Sequence, residues 1–268
     1  MSSIYGLLGE RLSHSLSPVI HNEIFKTLGD ECYYHLFEVE RDCLSDAIKG
    51  LKALKTKGVN VTIPYKIEVI KHLDEHSDET LKIGAVNTIV FRQNKTIGYN
   101  TDYFGFGMML KAFNIDVKNK KAVILGTGGV AKAVIHYLKD NDVLDITLVS
   151  RTVHANKNAA FKVISYDEIN NLGSQDLLIN CTPCGMHPNI DESPVKKEDM
   201  ENFNIAIDTI YNPKETLFLK NAKKLGLTNI NGLFMLVGQA IKAQELWNDL
   251  TIDEKIISDI YNRVLKLI

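Results

Sequence analysis

Gly126, Thr127, Gly128, Gly129, Val130 and Ala131 stand between the apolar run KAVIL and the helix-forming stretch VAKAVIHYLKD, the setting in which a glycine-rich turn holds a dinucleotide. Glycine permits the tight turn and lets backbone amides approach a pyrophosphate, whose charge the helix N-terminus then favours. Ala131 takes the place of the third glycine. A turn that merely joins strand to helix is the plainer alternative, and the clean strand before it and helix after it weigh against that. A site for NAD places Asp or Glu about twenty residues further on to hold the ribose hydroxyl, whereas this chain has Ser150 and Arg151. A guanidinium suits a 2'-phosphate through paired hydrogen bonds, where a carboxylate would repel it. Unless Arg151 is an ordinary solvated charge, these residues point to NADP.

Other reactive types are more ambiguous. Ser15 and Ser17, in SHSLSP, fall where the strand-like IYGLLG gives way to a helix opened by Pro18; their hydroxyls can donate to an anion with help from the helix dipole, or Ser17 can simply cap the helix. Lys66 follows the strand GVNVTI, which Pro64 stops. Asp102 falls in the first turn of a helix for which Thr101 is the expected cap, and nothing in the spacing ties it to Lys66. Cys181 and Cys184 form a CTPC string with His187 beyond it, but no second CxxC or histidine pair completes four ligands, so no metal is expected. Most of the eight histidines, His14 and His21 among them, have surface or capping explanations.

Positioning these groups requires a framework of alternating elements. In the first hundred residues IYGLLG, CYYHLFEV and GVNVTI read as strands, a helix carries Leu44, Ile48, Leu51 and Leu54 on one face, and VNTIVF and IGYN form a hairpin around RQNKT. Beyond KAVIL come the strands DITLVS, FKVI, DLLIN and NIAIDTI with helices YDEINNL and ETLFLKNAKKLG, for which a parallel, doubly wound sheet is the natural solution. The last two helices have no strand between them, so they are free to return to the first domain. With 268 residues, 45% of them hydrophobic, the chain can bury two modest cores. Its 31 basic and 33 acidic residues give a formal charge of -2, which leaves no basic field for nucleic acid or an anionic membrane and favours a small-molecule partner. No apolar run is long enough to span a bilayer, MSSIYGLLGERLSHS lacks a signal-peptide pattern, and the four cysteines are too few for a disulfide scaffold. A cytoplasmic protein with reduced thiols is expected.

Taken in order, SHSLSP, NVTIPYK, GAVNT, YNTD, the glycine turn, SRT, CGM, YNP and GLFMLVGQA resemble the NADP-dependent shikimate dehydrogenases from about Tyr5 to about Gln244. The resemblance implies an α/β fold of two domains: a substrate domain of residues 1–102 completed by 238–268, and a Rossmann domain of residues 103–237 that binds NADP. It implies reversible NADPH-dependent reduction of 3-dehydroshikimate to shikimate, a step of aromatic amino acid biosynthesis, by a monomer or homodimer. Residue by residue, Ser15 and Ser17 resemble the pair that binds the substrate carboxylate. Lys66 resembles the catalytic lysine and Asp102 its partner, while Asn60, Thr62, Asn87 and Gln239 resemble substrate-hydroxyl contacts. Tyr211 and Gly232 correspond to positions near the substrate and nicotinamide, and Ser150, Arg151, Thr152, Thr182 and Ile210 join the glycine turn on the cofactor side. Reducing a ring ketone puts a hydride on carbon and a proton on the developing alkoxide; Lys66 can stabilise that oxygen and protonate it, with Asp102 aiming the ammonium.

The chain departs from the pattern at two places. Glu10 and Arg11 follow Gly9 where the family has Asn-Pro, which leaves the serines intact. Ala155 stands where a second basic residue usually follows the SRT string, so one phosphate clamp is lost unless His154 or Lys157 replaces it. A quinate/shikimate dehydrogenase that uses NAD, and a non-catalytic NADP-binding sensor, are the alternatives. The Ser15/Ser17 pair and the missing acidic residue after the second strand of the Rossmann half disfavour the first, and retention of both Lys66 and Asp102 disfavours the second.

Overall fold

Apolar runs bounded by glycine, proline or charged residues form the strands, and amphipathic runs between them form the helices. The computed structural model describes residues 3–13, 15–153 and 161–267. Its first elements are β1 (Ser3–Gly9), α1 (Ser17–Leu28), β2 (Cys32–Glu38), α2 (Leu44–Ala53), β3 (Gly58–Val61), α3 (Tyr65–Glu68), β4 (Glu75–His76), α4 (Asp78–Ile83), β5 (Thr88–Arg92) and β6 (Lys95–Tyr99). These strands build a mixed sheet in the order β2-β1-β3-β5-β6-β4. β1 lies parallel to β2 and β3, whereas β5 is antiparallel to β3 and β6.

The second series runs α5 (Thr101–Ala112), β7 (Lys121–Leu125), α6 (Gly129–Asp140), β8 (Asp145–Val149), β9 (Lys162–Ile164), β10 (Leu177–Asn180), β11 (Ile205–Asp208), α7 (Leu217–Lys224), β12 (Thr228–Ile230), α8 (Leu233–Asn248) and α9 (Glu254–Leu267). Its sheet, β12-β11-β10-β7-β8-β9, is parallel throughout. This is the doubly wound Rossmann arrangement: the chain steps outward from β7 to β9, then returns to lay β10 on the other side of β7. The carboxyl ends of β7 and β10 therefore flank the switch point at which such sheets bind ligands.

The chain divides into two compact units, one formed by residues through Met108 together with Val237 onward, the other by Met109–Leu236. In the first unit Leu8, Ile48, Val59, Tyr65 and Ile89 pack on one side, and Tyr5, Phe25, Tyr34, Val90 and Trp247 make a second cluster. Trp247 of α8 donates its indole N–H to Ile89 O at 3.0 Å and lies so close to Gly58 that a Cβ there would come within 1.9 Å of Nε1. Truncating this buried tryptophan to alanine is expected to cost about 3–5 kcal/mol. The second unit is centred on Val123, Leu125, Val149, Leu178, Phe203 and Phe218.

Several local expectations are corrected. Leu16 already has helical dihedrals (φ -82, ψ -5) and stands at the N-cap of α1. Ser17 is thus the first helical residue rather than the cap, and its N–H donates to Ser15 Oγ at 3.2 Å. Leu54 lies outside α2 and is 70% exposed, because the chain turns into the left-handed region at Lys55 (φ 57). The hairpin turn contains only Gln93 and Asn94, both at positive φ. YDEINNL forms a 3-10 turn over Tyr166–Leu172. β4, α4 and β12, each short, have no periodic signal long enough to read from sequence. No helix among the described residues is long and apolar enough to cross a membrane.

Candidate active site and nucleotide-binding turn

In the first unit the carboxyl end of β3 passes through Thr62 and Pro64 into the single turn of α3, which presents Lys66. Asp102 sits in the first turn of α5. Although far apart in sequence, the two meet: Lys66 Nζ donates to Asp102 Oδ2 at 2.6 Å, with the lysine side chain 14% exposed and the carboxylate 3%. An ammonium has three hydrogens, and this bond uses one. The backbone is tied down as well, since Val86 N donates to Lys66 O at 2.7 Å.

The start of α5 is held by Asn87. Its Oδ1 accepts from Thr101 N at 2.6 Å, from Thr101 Oγ1 at 3.1 Å and from Thr88 Oγ1 at 3.2 Å, while its Nδ2 donates to Gln239 Oε1 of α8 at 3.0 Å. Thr101 is consequently a helical residue anchored to Asn87, and Asn100 performs the capping expected of Thr101 by accepting from Tyr103 N. Asn60 lies 7% exposed, with Oδ1 accepting from Tyr34 and Nδ2 donating to Thr88 Oγ1. Lys66 and Asp102 thus form one bonded pair and Asn60, Asn87 and Gln239 a second set of polar contacts, all in the same unit. Thr62, Ser15 and Ser17 are half-buried in the same unit.

Two residues of this network had no signal in the sequence. Tyr34 donates its hydroxyl to Asn60 Oδ1 at 2.8 Å; burial pushes its phenol far above the usual range, against which a hydrogen bond from Ser17 works. Tyr34 therefore links two residues singled out for substrate. His21, for which a surface or capping place was expected, is 1% exposed. It stacks on Tyr34 at 4.1 Å and meets Gln244 Nε2 through Nδ1 at 2.8 Å. Burial pushes it down to about 3, so it stays neutral as a packing element. His14 lies outside the described residues.

In the second unit, Gly126 holds φ +99, a conformation that side chains disfavour, and an added Cβ would lie 2.9 Å from Thr182 Cγ2. Gly128 is the N-cap of α6, with no side chain bonded across the helix start and nothing within 4 Å of where a Cβ would be. Ala131, fully buried, lets the helix approach the sheet. Thr127, Gly129 and Val130 complete the turn. Open space before free helix amides fits a pyrophosphate. Ser150, at the end of β8, accepts from Thr152 N at 3.2 Å, and Arg151 beside it is exposed. Ala155, His154 and Lys157 lie outside the described residues.

The other residues that the resemblance places on the cofactor side follow the ends of β10, β11 and β12. Thr182 abuts the glycine turn. Gly232 N donates to Ile210 O at 2.9 Å, and a Cβ on Gly232 would lie 2.1 Å from Thr209 O, so close backbone approach explains this glycine. Burial pushes the Tyr211 phenol up. Cys184 donates its thiol to Glu192 Oε2 at 3.9 Å, and its own burial followed by that carboxylate pushes it up, the opposite of a thiol poised for metal or redox chemistry. Among the described residues no group of three His, Cys, Asp or Glu could hold a metal ion.

Comparison with known proteins bears on the family and the fold. The model of the shikimate dehydrogenase substrate binding domain matches residues 7–89. A shikimate dehydrogenase (NADP(+)) of Clostridium beijerinckii is 51% identical over 261 residues, covering 96% of each chain. The crystal structure of a chorismate mutase/shikimate 5-dehydrogenase fusion protein from Clostridium acetobutylicum is similar with a TM-score of 0.97 and 50% identity, covering 100% of this chain and 99% of that one. A shikimate dehydrogenase solved in complex with NADP+ has a TM-score of 0.88 at 38% identity, covering 98% and 95%.

Proposed function

The chain belongs to the shikimate dehydrogenase family, and from that premise we propose that it reduces 3-dehydroshikimate reversibly to shikimate, with NADP as its cofactor and Lys66 as the acid. The observation that carries this reading is the buried Lys66–Asp102 pair, whose helix is anchored by Asn87, itself bonded to Gln239.

NADPH, when bound, supplies the hydride that converts the ring ketone carbon to an alcohol carbon. Every other requirement falls to this chain's side chains. Lys66 donates to the ketone oxygen, stabilises the negative charge that develops there, and transfers a proton to it. Asp102 keeps the ammonium aimed, and Asn87 fixes the turn from which Asp102 projects. Ser15 and Ser17 hold the substrate carboxylate by charge-assisted hydrogen bonds, with Tyr34 orienting Ser17. Asn60, Thr62, Asn87 and Gln239 read the ring hydroxyls. Gly126 to Ala131, with Thr182, Ile210 and Gly232, hold the dinucleotide, and Ser150, Arg151 and Thr152 face its 2'-phosphate. The same reading assigns residues 1–102 with 238–268 to substrate and 103–237 to NADP, and makes the enzyme a cytoplasmic monomer or homodimer, a point light scattering decides.

Absorbance at the nicotinamide band is the direct test: purified protein is given shikimate with NADP or NAD, then quinate with each. Reduction of NADP by shikimate well above the other three pairs is expected. Faster reaction with quinate or NAD would refute the assignment, as would no reaction with any pair.

A further inference from the structure

Neighbouring ends of β10 and β11 carry a polar pair that the proposed chemistry does not use. Asn180 and Asp208 stand opposite each other in register, both fully buried. Asn180 Nδ2 donates to Asp208 Oδ1 at 3.0 Å, and Asn180 Oδ1 accepts from Thr182 N at 2.9 Å and Thr182 Oγ1 at 2.7 Å. Thr182 Oγ1 accepts in turn from Cys184 N at 3.3 Å. Beyond the pair, Asp208 also accepts from Ile210 N at 3.0 Å and from Thr216 Oγ1 at 2.6 Å, and Thr216 caps α7.

The direction of these bonds matters. Above about pH 7, where Asp208 is ionised, its carboxylate only accepts, so Asp208 forces the amide end of Asn180 toward itself and the carbonyl end toward Thr182. Thr182 is thereby pinned with its methyl group against Gly126, where even a Cβ would collide. We propose that Asp208 and Asn180 are positioning residues for the cofactor: their fixed hydrogen-bond polarity holds the 181–184 loop against the glycine turn and so sets NADPH affinity without touching substrate. Burial pushes Asp208 up to about 7, a strain that an apolar residue would avoid and that only the three donors offset. The inference rests on the proposed NADP site and adds residues to it.

Steady-state kinetics of the intact enzyme separate this role from general support of the fold. Asn180→Asp keeps the shape but sets two carboxylates against each other; KM for NADPH should rise about tenfold or more, with KM for shikimate within about twofold. Asp208→Asn alone should raise KM for NADPH only about two- to fivefold, because the carboxamide oxygen can still accept from Asn180 and Ile210. In the Asn180→Asp background the same substitution should lower it, since the new amide donates to the carboxylate introduced at position 180. That reversal of sign is the signature of a polarity relay. Should Asn180→Asp not fold, Asn180→Ala serves: adding Asp208→Asn to it should restore stability but leave KM for NADPH raised, because nothing then reaches Thr182. The inference is overturned if Asn180→Asp leaves KM for NADPH unchanged, if the double variant is no better than the single one, or if both Michaelis constants rise together. Wild-type enzyme inert toward NADP with shikimate would overturn the functional assignment first, and this inference with it.

Discussion

Replacing Lys66 by alanine tests catalysis and burial together. The pair is enclosed, with Lys66 at 14% and Asp102 at 3% side-chain exposure and 2.6 Å between them. Removing the ammonium therefore strands a buried carboxylate, which typically costs about 3–5 kcal/mol of stability. It also removes the proposed proton donor, expected to lower kcat by about 100-fold or more, equivalent to roughly 2.7 kcal/mol of barrier. KM for NADPH should be spared, because Gly126 and Arg151 belong to the other unit. The informative companion is Lys66→Ala with Asp102→Asn: neutralising the stranded carboxylate should return most of the lost stability while activity stays low. Urea unfolding measures the first effect, and nicotinamide absorbance with shikimate and NADP measures the second. Turnover unchanged in Lys66→Ala would remove the lysine from the mechanism, and equal stability of single and double variants would mean that Asp102 is not the buried charge described.

Three further outcomes are expected. Replacing Ser15 and Ser17 together by alanine should raise KM for shikimate by at least about tenfold through two lost charge-assisted bonds; intact kinetics with only a lower melting temperature would reduce the pair to a helix-start device. Arg151 contributes a charge-assisted contact of about 1.5–3 kcal/mol, so wild type should prefer NADP about ten- to hundredfold in kcat/KM and Arg151→Ala should approach parity by weakening NADP alone. Weakening NAD equally would show that Arg151 does not read the phosphate. Asp208 has an ordinary value of 3.8 raised to about 7 in the fold, so between those values the folded chain retains a proton that the unfolded chain has released. Stability should accordingly fall as pH rises from about 4 to about 7 and level off above it, on the order of 4 kcal/mol in full, and the non-titrating Asp208→Asn should lack that slope in urea titrations.

Period and turn chemistry are local, so the elements carrying them were legible from sequence. KAVIL, the glycine turn and VAKAVIHYLKD form β7, the turn and α6 as their pattern dictates, because an apolar run, a tight turn and an amphipathic face need no distant partner to be defined. Gly29 ends α1 at φ 76 for the same reason. Caps were less legible: Leu16 and Asn100, not Ser17 and Thr101, stand at the caps of their helices, and Thr101 is drawn into its helix because Asn87 claims it. The family motifs named Lys66 and Asp102 together, yet only the fold shows why they meet, by carrying α3 and α5 to the same place. His21 read as a surface or capping histidine because burial is a property of neighbours, here Tyr34 and Gln244 from distant segments. Asn180 and Asp208 were invisible for the strictest reason: each is an unremarkable polar residue at a strand end, and only the parallel register that sets β10 beside β11 turns them into a pair.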